Sequence, residues 1–291
     1  MSIYSTFDQV ELDREYSPSS CIDDINVFLD AYASVSSQVK NVALAEGSCI
    51  QNLAYGSKAD EQLDLFKPAT AQAAPLHIYI HGGYWRALSK DDSAFAAPMF
   101  QQHGSFFAAL DYTLAPNATL TQIVRQNRLA ISWLFQNADN LGFDRNRIHL
   151  SGSSAGAHLA VMMLLTDWSR YGLPQDVIKG VCAVSGIYDL EPIQLSYVNE
   201  PLGMSAREAA ENSPMGKALR NHCPVILAYG DNETSEFKRQ TNEYRGFLSA
   251  SGETTSLKEI KNRNHFDVIM DLMHSDSWLA QQVLSQMAIS R

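Results

Sequence analysis

The sequence predicts the α/β class, a mostly parallel central sheet with helices on both faces. Three observations carry this. From residue 76 onward, short apolar runs alternate with helix-length segments. The chain has 291 residues, enough to bury a large core as one unit. And a Gly-Ser-Ser-Ala-Gly run, residues 152–156, sits where one apolar run gives way to an amphipathic helix.

Residues 23–46 place Ile25, Phe28, Leu29, Tyr32 and Val35 at helical spacing, which predicts a helix. Strand-like runs follow at 49–55 and 62–66, and the stretch from Pro68 to Pro75 reads as a turn or surface loop. The alternation then begins. Strands are expected at 76–80, 105–110, 148–150, 178–184, 224–229 and 256–260. Helices are expected at 89–103, 121–137, 155–165, 235–250 and 277–287. Residues 190–223 break the rhythm with Pro192, Pro201 and Pro214. The organisation predicted is a single domain over 1–291, with an N-terminal helical segment at about 20–47 and a small cap or lid at about 190–223.

Charge and composition exclude several function classes. The formal net charge is −10 and no dense Lys/Arg run appears, which argues against nucleic acid as a partner. No apolar run reaches the roughly 18–20 residues of a membrane helix, and the first fifteen residues lack the pattern of a secretory signal. The four cysteines are scattered without a CxxC pair and read as reduced thiols in a cytoplasmic protein. No HExxH and no GxGxxG occurs, so neither a metal nor another cofactor is expected.

Gly152-Ser153-Ser154-Ala155-Gly156 fits G-x-S-x-G in its required context, strand before and helix after. This is the nucleophile elbow of the α/β-hydrolase fold, with Ser154 in the nucleophile frame. His81-Gly82-Gly83-Tyr84-Trp85 follows the strand at 76–80, where that fold takes its oxyanion donors. Gly82, Gly83, Tyr84 and Ala155 form the expected oxyanion hole. Chain order then requires an acid and a histidine after the serine. His265, in the polar loop after the strand at 256–260, is the expected base. His158 lies on the helix behind the serine and reads as a packed residue. His222 precedes a strand, and His274 reads as the start of the last helix. For the acid, Asp231 and Glu233 both follow the strand at 224–229, and Asp189 is a minority arrangement.

The chain resembles the animal-type kynurenine formamidases (arylformamidases), a branch of the α/β-hydrolases near the hormone-sensitive-lipase-like group. The resemblance runs almost end to end. It includes Glu15-Tyr16-Ser17-Pro18-Ser19, His81-Gly82-Gly83-Tyr84-Trp85, the segment from Ser89 to Phe95, Ser154-Ala155-Gly156-Ala157-His158-Leu159, Glu236-Phe237 and His265-Phe266. It implies Ser154 and His265 as nucleophile and base. The family typically has Asp-Ser-Pro-Glu-Phe. Counting back from Glu236-Phe237 puts that Asp on Glu233, so Glu233 becomes the favoured acid. The implied activity is hydrolysis of N-formyl-L-kynurenine to L-kynurenine and formate. Alternatives are a broad carboxylesterase or another amidase on the same residues, and a non-catalytic hydrolase-fold binding protein. Tyr84, Trp85 and Tyr188 are read either as an aromatic wall for substrate or as core residues. The partner expected is a small molecule. The sequence does not set the oligomeric state, and a homodimer is the candidate assembly.

Overall fold

The computed structural model describes residues 2–70 and 73–289. In chain order they form α1 (Gln9–Glu15), α2 (Asn26–Ala45), β1 (Cys49–Ala54), β2 (Gln62–Phe66), β3 (Ala74–Ile80), α3 (Ala97–Gln102), β4 (Phe106–Leu110), α4 (Leu120–Leu141) and β5 (Phe143–Ser153). There follow α5 (Ala155–Leu164), β6 (Ile178–Val184), α6 (Glu191–Leu195), α7 (Asn199–Leu202), α8 (Ala206–Asn212), β7 (Val225–Asn232), α9 (Ser235–Ala250), β8 (Thr255–Asn264) and α10 (Trp278–Gln286). The strands make one eight-stranded sheet in the order β1-β2-β4-β3-β5-β6-β7-β8. β1–β2 and β2–β4 pair antiparallel, and every pair from β4–β3 to β7–β8 is parallel.

Alternation along each buried strand divides the core in two. Leu76, Ile78 and Ile80 of β3, Val181 and Ala183 of β6, and Val225 and Leu227 of β7 face one cluster, which includes side chains of α4, α5 and α9. Tyr79, Cys182, Val184, Ile226 and Ala228 face the other, packed by α2, α3 and α10. A strand covered on both faces has no polar side, so its residues are apolar in both registers. This is the α/β-hydrolase fold the sequence predicted.

Several elements differ from expectation. The helix expected at 89–103 is broken. Ser89 caps a single 3₁₀ turn at Lys90–Asp92, the Ala94 amide donates to Ser36 Oγ at 3.0 Å, and α3 restarts at Ala97 with Pro98 in its first turn. Lys90 leaves the helical path to meet the buried Asp64 carboxylate at 3.2 Å. β5 and β8 run several residues beyond the expected 148–150 and 256–260, because strand pairing is made by backbone groups that polar residues carry as well as apolar ones. α1 was not anticipated. Of the loop at 68–75, Pro75 lies in β3, and residues 71 and 72 fall outside the described residues. Residues 190–223 hold the three short helices α6, α7 and α8. Among the described residues no helix is long and apolar enough to cross a membrane.

Three core histidines set a pH dependence. Burial pushes His149 and His158 down to about 4 and His77 well below its usual range. In the unfolded chain each titrates near 6.5. Below that pH the unfolded state binds more protons, so stability is complete above about 6.5 and falls as pH drops toward 4. Urea unfolding at pH 7.5 and pH 5 should show a loss on the order of 1–2 kcal/mol per histidine. His149→Gln should flatten that slope, and an unchanged slope would contradict the assignment.

Candidate active site

The candidate residues gather where β3, β5, β7 and β8 end. Ser154 sits between β5 and α5 with φ +57° and ψ −120°, a positive-φ conformation that costs a non-glycine residue about 1–3 kcal/mol. The amide of Ser154 donates to Val184 O at 2.8 Å, so the ladder with β6 holds the turn in place. A Cβ at Gly156 would collide with the backbone carbonyl of Ile80, so only glycine lets α5 lie this close to β3. The motif thus fixes both the turn and the seat of the helix behind it.

His265 follows β8 on a turn built by its neighbours. Asn264 Oδ1 accepts from the Phe266 amide at 2.8 Å and the Asp267 amide at 3.2 Å, while Asp267 Oδ1 accepts from the Asn264 amide at 2.6 Å. Burial raises the Asp267 carboxyl above its ordinary range. The imidazole itself is 4% exposed and packs edge-on against Phe237, ring centroids 4.4 Å apart.

Glu233 is the carboxylate that meets this ring. Its Oε2 lies 2.8 Å from His265 Nδ1. Its Oε1 accepts from the Gly230 amide and from Ser185 Oγ, each at 2.6 Å. The side chain is fully buried, so these neutral donors and the imidazole take the place of water. Gly230 has a second role, since a Cβ there would collide with Arg263 O and lie 3.0 Å from the Asn264 amide. The two loops carrying acid and base therefore touch at a position where only glycine fits. Asp231 turns elsewhere. It accepts from the Arg263 amide at 3.3 Å and stands 3.8 Å from Lys261 Nζ. Asp189 accepts from the Glu191 amide at 3.1 Å and the Tyr4 hydroxyl at 3.4 Å. Of the three carboxylates the sequence offered, Glu233 is the one within hydrogen-bond distance of His265.

The loop after β3 closes over the serine. A Cβ built on Gly82 would lie 3.4 Å from that of Ser154. Gly82 O accepts from Tyr112 Oη at 3.3 Å and faces His81 Nδ1 at 3.0 Å, and Tyr112 also donates to His81 O at 3.0 Å. A trans peptide points its N–H opposite its C=O, so holding the Gly82 carbonyl on one side turns the Gly83 amide to the other. Gly83 O accepts from the amides of Arg86 and Ala87 at 3.0 Å, and Tyr84 and Trp85 both have positive φ. The amides of Gly83 and Tyr84 donate to no acceptor among the described residues. Ala155 opens α5, where the first amides have no intrahelical partner.

Ser154, His265, Gly82, Gly83 and Tyr84 line one cavity of about 250 Å³. Its other walls come from Ile25, Leu29 and Tyr32 of α2, from Tyr79, and from Tyr197 and Phe266. Trp85 and Tyr188 do not line it, which corrects their reading as substrate-binding residues. Trp85 is fully buried with its edge against His158, and Tyr188 is fully buried and stacked on Tyr244 at 4.2 Å. His158 bonds Asn212 O at 2.7 Å and is a packing residue, as its place on α5 suggested. The aromatic wall that exists was missed because Ile25, Leu29 and Tyr32, four and three residues apart, carry the same periodicity as a core face. A larger groove of about 770 Å³ between α2 and α3 holds neither Ser154 nor His265. Among the described residues no group of three or more His, Cys, Asp or Glu is placed to hold a metal ion.

Comparison with known proteins gives the family and the fold. A family model described as BD-FAE matches residues 63–243. Kynurenine formamidase from Salmo salar is 36% identical over 304 residues, covering 100% of both chains. That from Danio rerio is 34% identical over 302 residues, again with 100% of both covered. The chain belongs to the kynurenine formamidase family. Among solved structures, an esterase from Pyrobaculum calidifontis superimposes with a TM-score of 0.71 at 18% identity, covering 92% of this chain and 95% of that one, a likeness of fold. As a member of this family the chain is a hydrolase, and Ser154, His265, Gly83 and Tyr84 line one cavity, with Glu233 buried behind the imidazole.

The two nearby acids are separable by mutation. Glu233→Gln should lower kcat on a family substrate or aryl ester by roughly a thousandfold or more with little change in melting temperature. Asp231→Asn should stay within a few-fold of wild type. The reverse pattern would assign the acid to Asp231.

Proposed function

We propose that this chain is a serine hydrolase that deformylates N-formyl-L-kynurenine to L-kynurenine and formate. The observation carrying this reading is the buried Glu233–His265 pair opening onto the cavity that Ser154 and the unengaged amides of Gly83 and Tyr84 share. The full-length likeness to kynurenine formamidases selects the substrate.

In the proposed reaction Nε2 of His265 takes the Ser154 proton as the oxygen attacks the formyl carbon. Glu233 holds Nδ1–H, fixing the tautomer and stabilising the imidazolium that forms. The oxyanion is received by the amides of Gly83, Tyr84 and Ala155. His265 then returns the proton to the departing arylamine, and water, deprotonated by His265, releases formate from Ser154. A formyl carbon carries only hydrogen as its acyl substituent, so the small space beside Gly82 suffices on that side. The arylamine half is assigned to the space between Tyr32, Tyr197 and Phe266. Residues 190–223 act as a cap, contributing Tyr197. The four cysteines are unpaired, which fits a reducing compartment such as the cytoplasm.

The test is an ultraviolet assay following loss of N-formyl-L-kynurenine, run beside aryl acetates and formanilides. Wild type should deformylate it, and Ser154→Ala should fall by roughly three orders of magnitude or more. Turnover of aryl acetates without turnover of N-formyl-L-kynurenine would make the chain an esterase instead.

A further inference from the structure

One permanently charged residue, the solvent-exposed Arg86, stands among those lining the cavity beside Ser154. Among its lining residues there is no Asp, Glu or Lys, and Arg86 is the sole arginine. Its guanidinium donates to no acceptor and pairs with no carboxylate among the described residues. Elsewhere Lys90 pairs with Asp64 and Arg239 with Glu236, while exposed cations such as Arg125 and Arg245 also have no carboxylate partner among the described residues, so what sets Arg86 apart is its place at the cavity. The chain as a whole carries −10, so an anionic molecule meets a field that repels it except where a cation is exposed.

Arg86 is also mounted on a rigid base. Its own amide donates to Gly83 O at 3.0 Å, the Ala87 amide does the same, and the preceding Trp85 is fully buried with its carbonyl accepting from the Ala115 amide at 2.9 Å. The backbone carrying the guanidinium is therefore the same tight turn that carries the amides of Gly83 and Tyr84. The tyrosines and phenylalanine of the walls offer little competing charge, and burial holds the Tyr32 and Tyr84 phenols well above their ordinary range, hence neutral.

From this we propose that Arg86 is a specificity-determining residue, binding a carboxylate carried on the leaving half of the substrate. A guanidinium is always charged and presents paired donors that match a carboxylate. The ligand class is an aryl amide or aryl ester whose aromatic part bears a carboxylate. The inference rests on the hydrolase reading of the same cavity, and N-formyl-L-kynurenine is one member of the class.

The experiment compares wild type, Arg86→Gln and Arg86→Lys on two matched pairs: N-formyl-L-kynurenine with its methyl ester, and 4-acetoxyphenylacetate with its methyl ester. The quantity read is the ratio of kcat/KM for the free acid to that for its methyl ester, which lacks the carboxylate charge. Arg86→Gln should lower this ratio about ten- to a hundredfold, mostly through KM. Arg86→Lys should fall between, and salt should erode the wild-type preference. Ratios within twofold in all three proteins would overturn the proposal and leave Arg86 a solvated surface cation. Equal losses on acid and methyl ester would overturn it in favour of a structural role. If wild type cleaves the acetoxy pair but not the formamide pair, the deformylase reading fails while the role of Arg86 is still decided on the acetates.

Discussion

The hydrogen bond between His265 Nδ1 and Glu233 Oε2, 2.8 Å long and shielded from water, is the contact on which the rest of the site depends. It exists because two loops from adjacent parallel strands touch. β7 and β8 pair from Val225 to Asn232, with an irregularity in register after Gly230, where the two backbones lie close together. With Glu233 satisfied by Gly230 and Ser185 on its far oxygen, the near oxygen has one partner left, the imidazole. The ring is thereby held by its Nδ1 edge in the wall of the cavity that Ser154 also lines. All four contributing strands present their C-terminal ends, which is where an open parallel sheet places a ligand.

A segment outside the sheet joins these loops. Tyr16 O accepts from the Tyr84 hydroxyl at 2.7 Å, Glu15 O accepts from Thr234 Oγ1 at 2.6 Å, and Glu15 Oε2 accepts from Ser235 Oγ at 2.6 Å. Tyr16 donates to Glu236 at 2.8 Å, and Pro18 and Ser19 reach the cavity wall. The Glu15–Ser19 segment thus links the amide-bearing loop to the turn holding Glu233. These contacts make the position of the Gly83–Tyr84 turn relative to Glu233 depend on this stretch.

Much of this was legible because the chemistry dictates local sequence. A serine held at positive φ between strand and helix needs small neighbours, and those neighbours are the motif. The strands were legible because burial on both faces leaves apolar runs. What escaped notice depended on distant partners. The helix expected at 89–103 is broken by Ser36 and Asp64, which lie more than twenty residues away in the chain. Trp85 and Tyr188 carry no local sign of whether they face a cavity or a core. Tyr32 has the spacing of a core residue and lines the cavity from a helix that precedes the whole sheet. Between Asp231 and Glu233 the sequence offered a count against a family pattern, whereas the structure separates them by which way each side chain turns.

Covalent labelling tests the convergence of these groups most directly. Purified protein treated with an aryl fluorophosphonate, digested and mapped by mass spectrometry, should carry the phosphonyl group on Ser154, and His265→Gln should slow the reaction by orders of magnitude. A label on Ser151 or Ser153, or equal rates with and without the imidazole, would contradict the account.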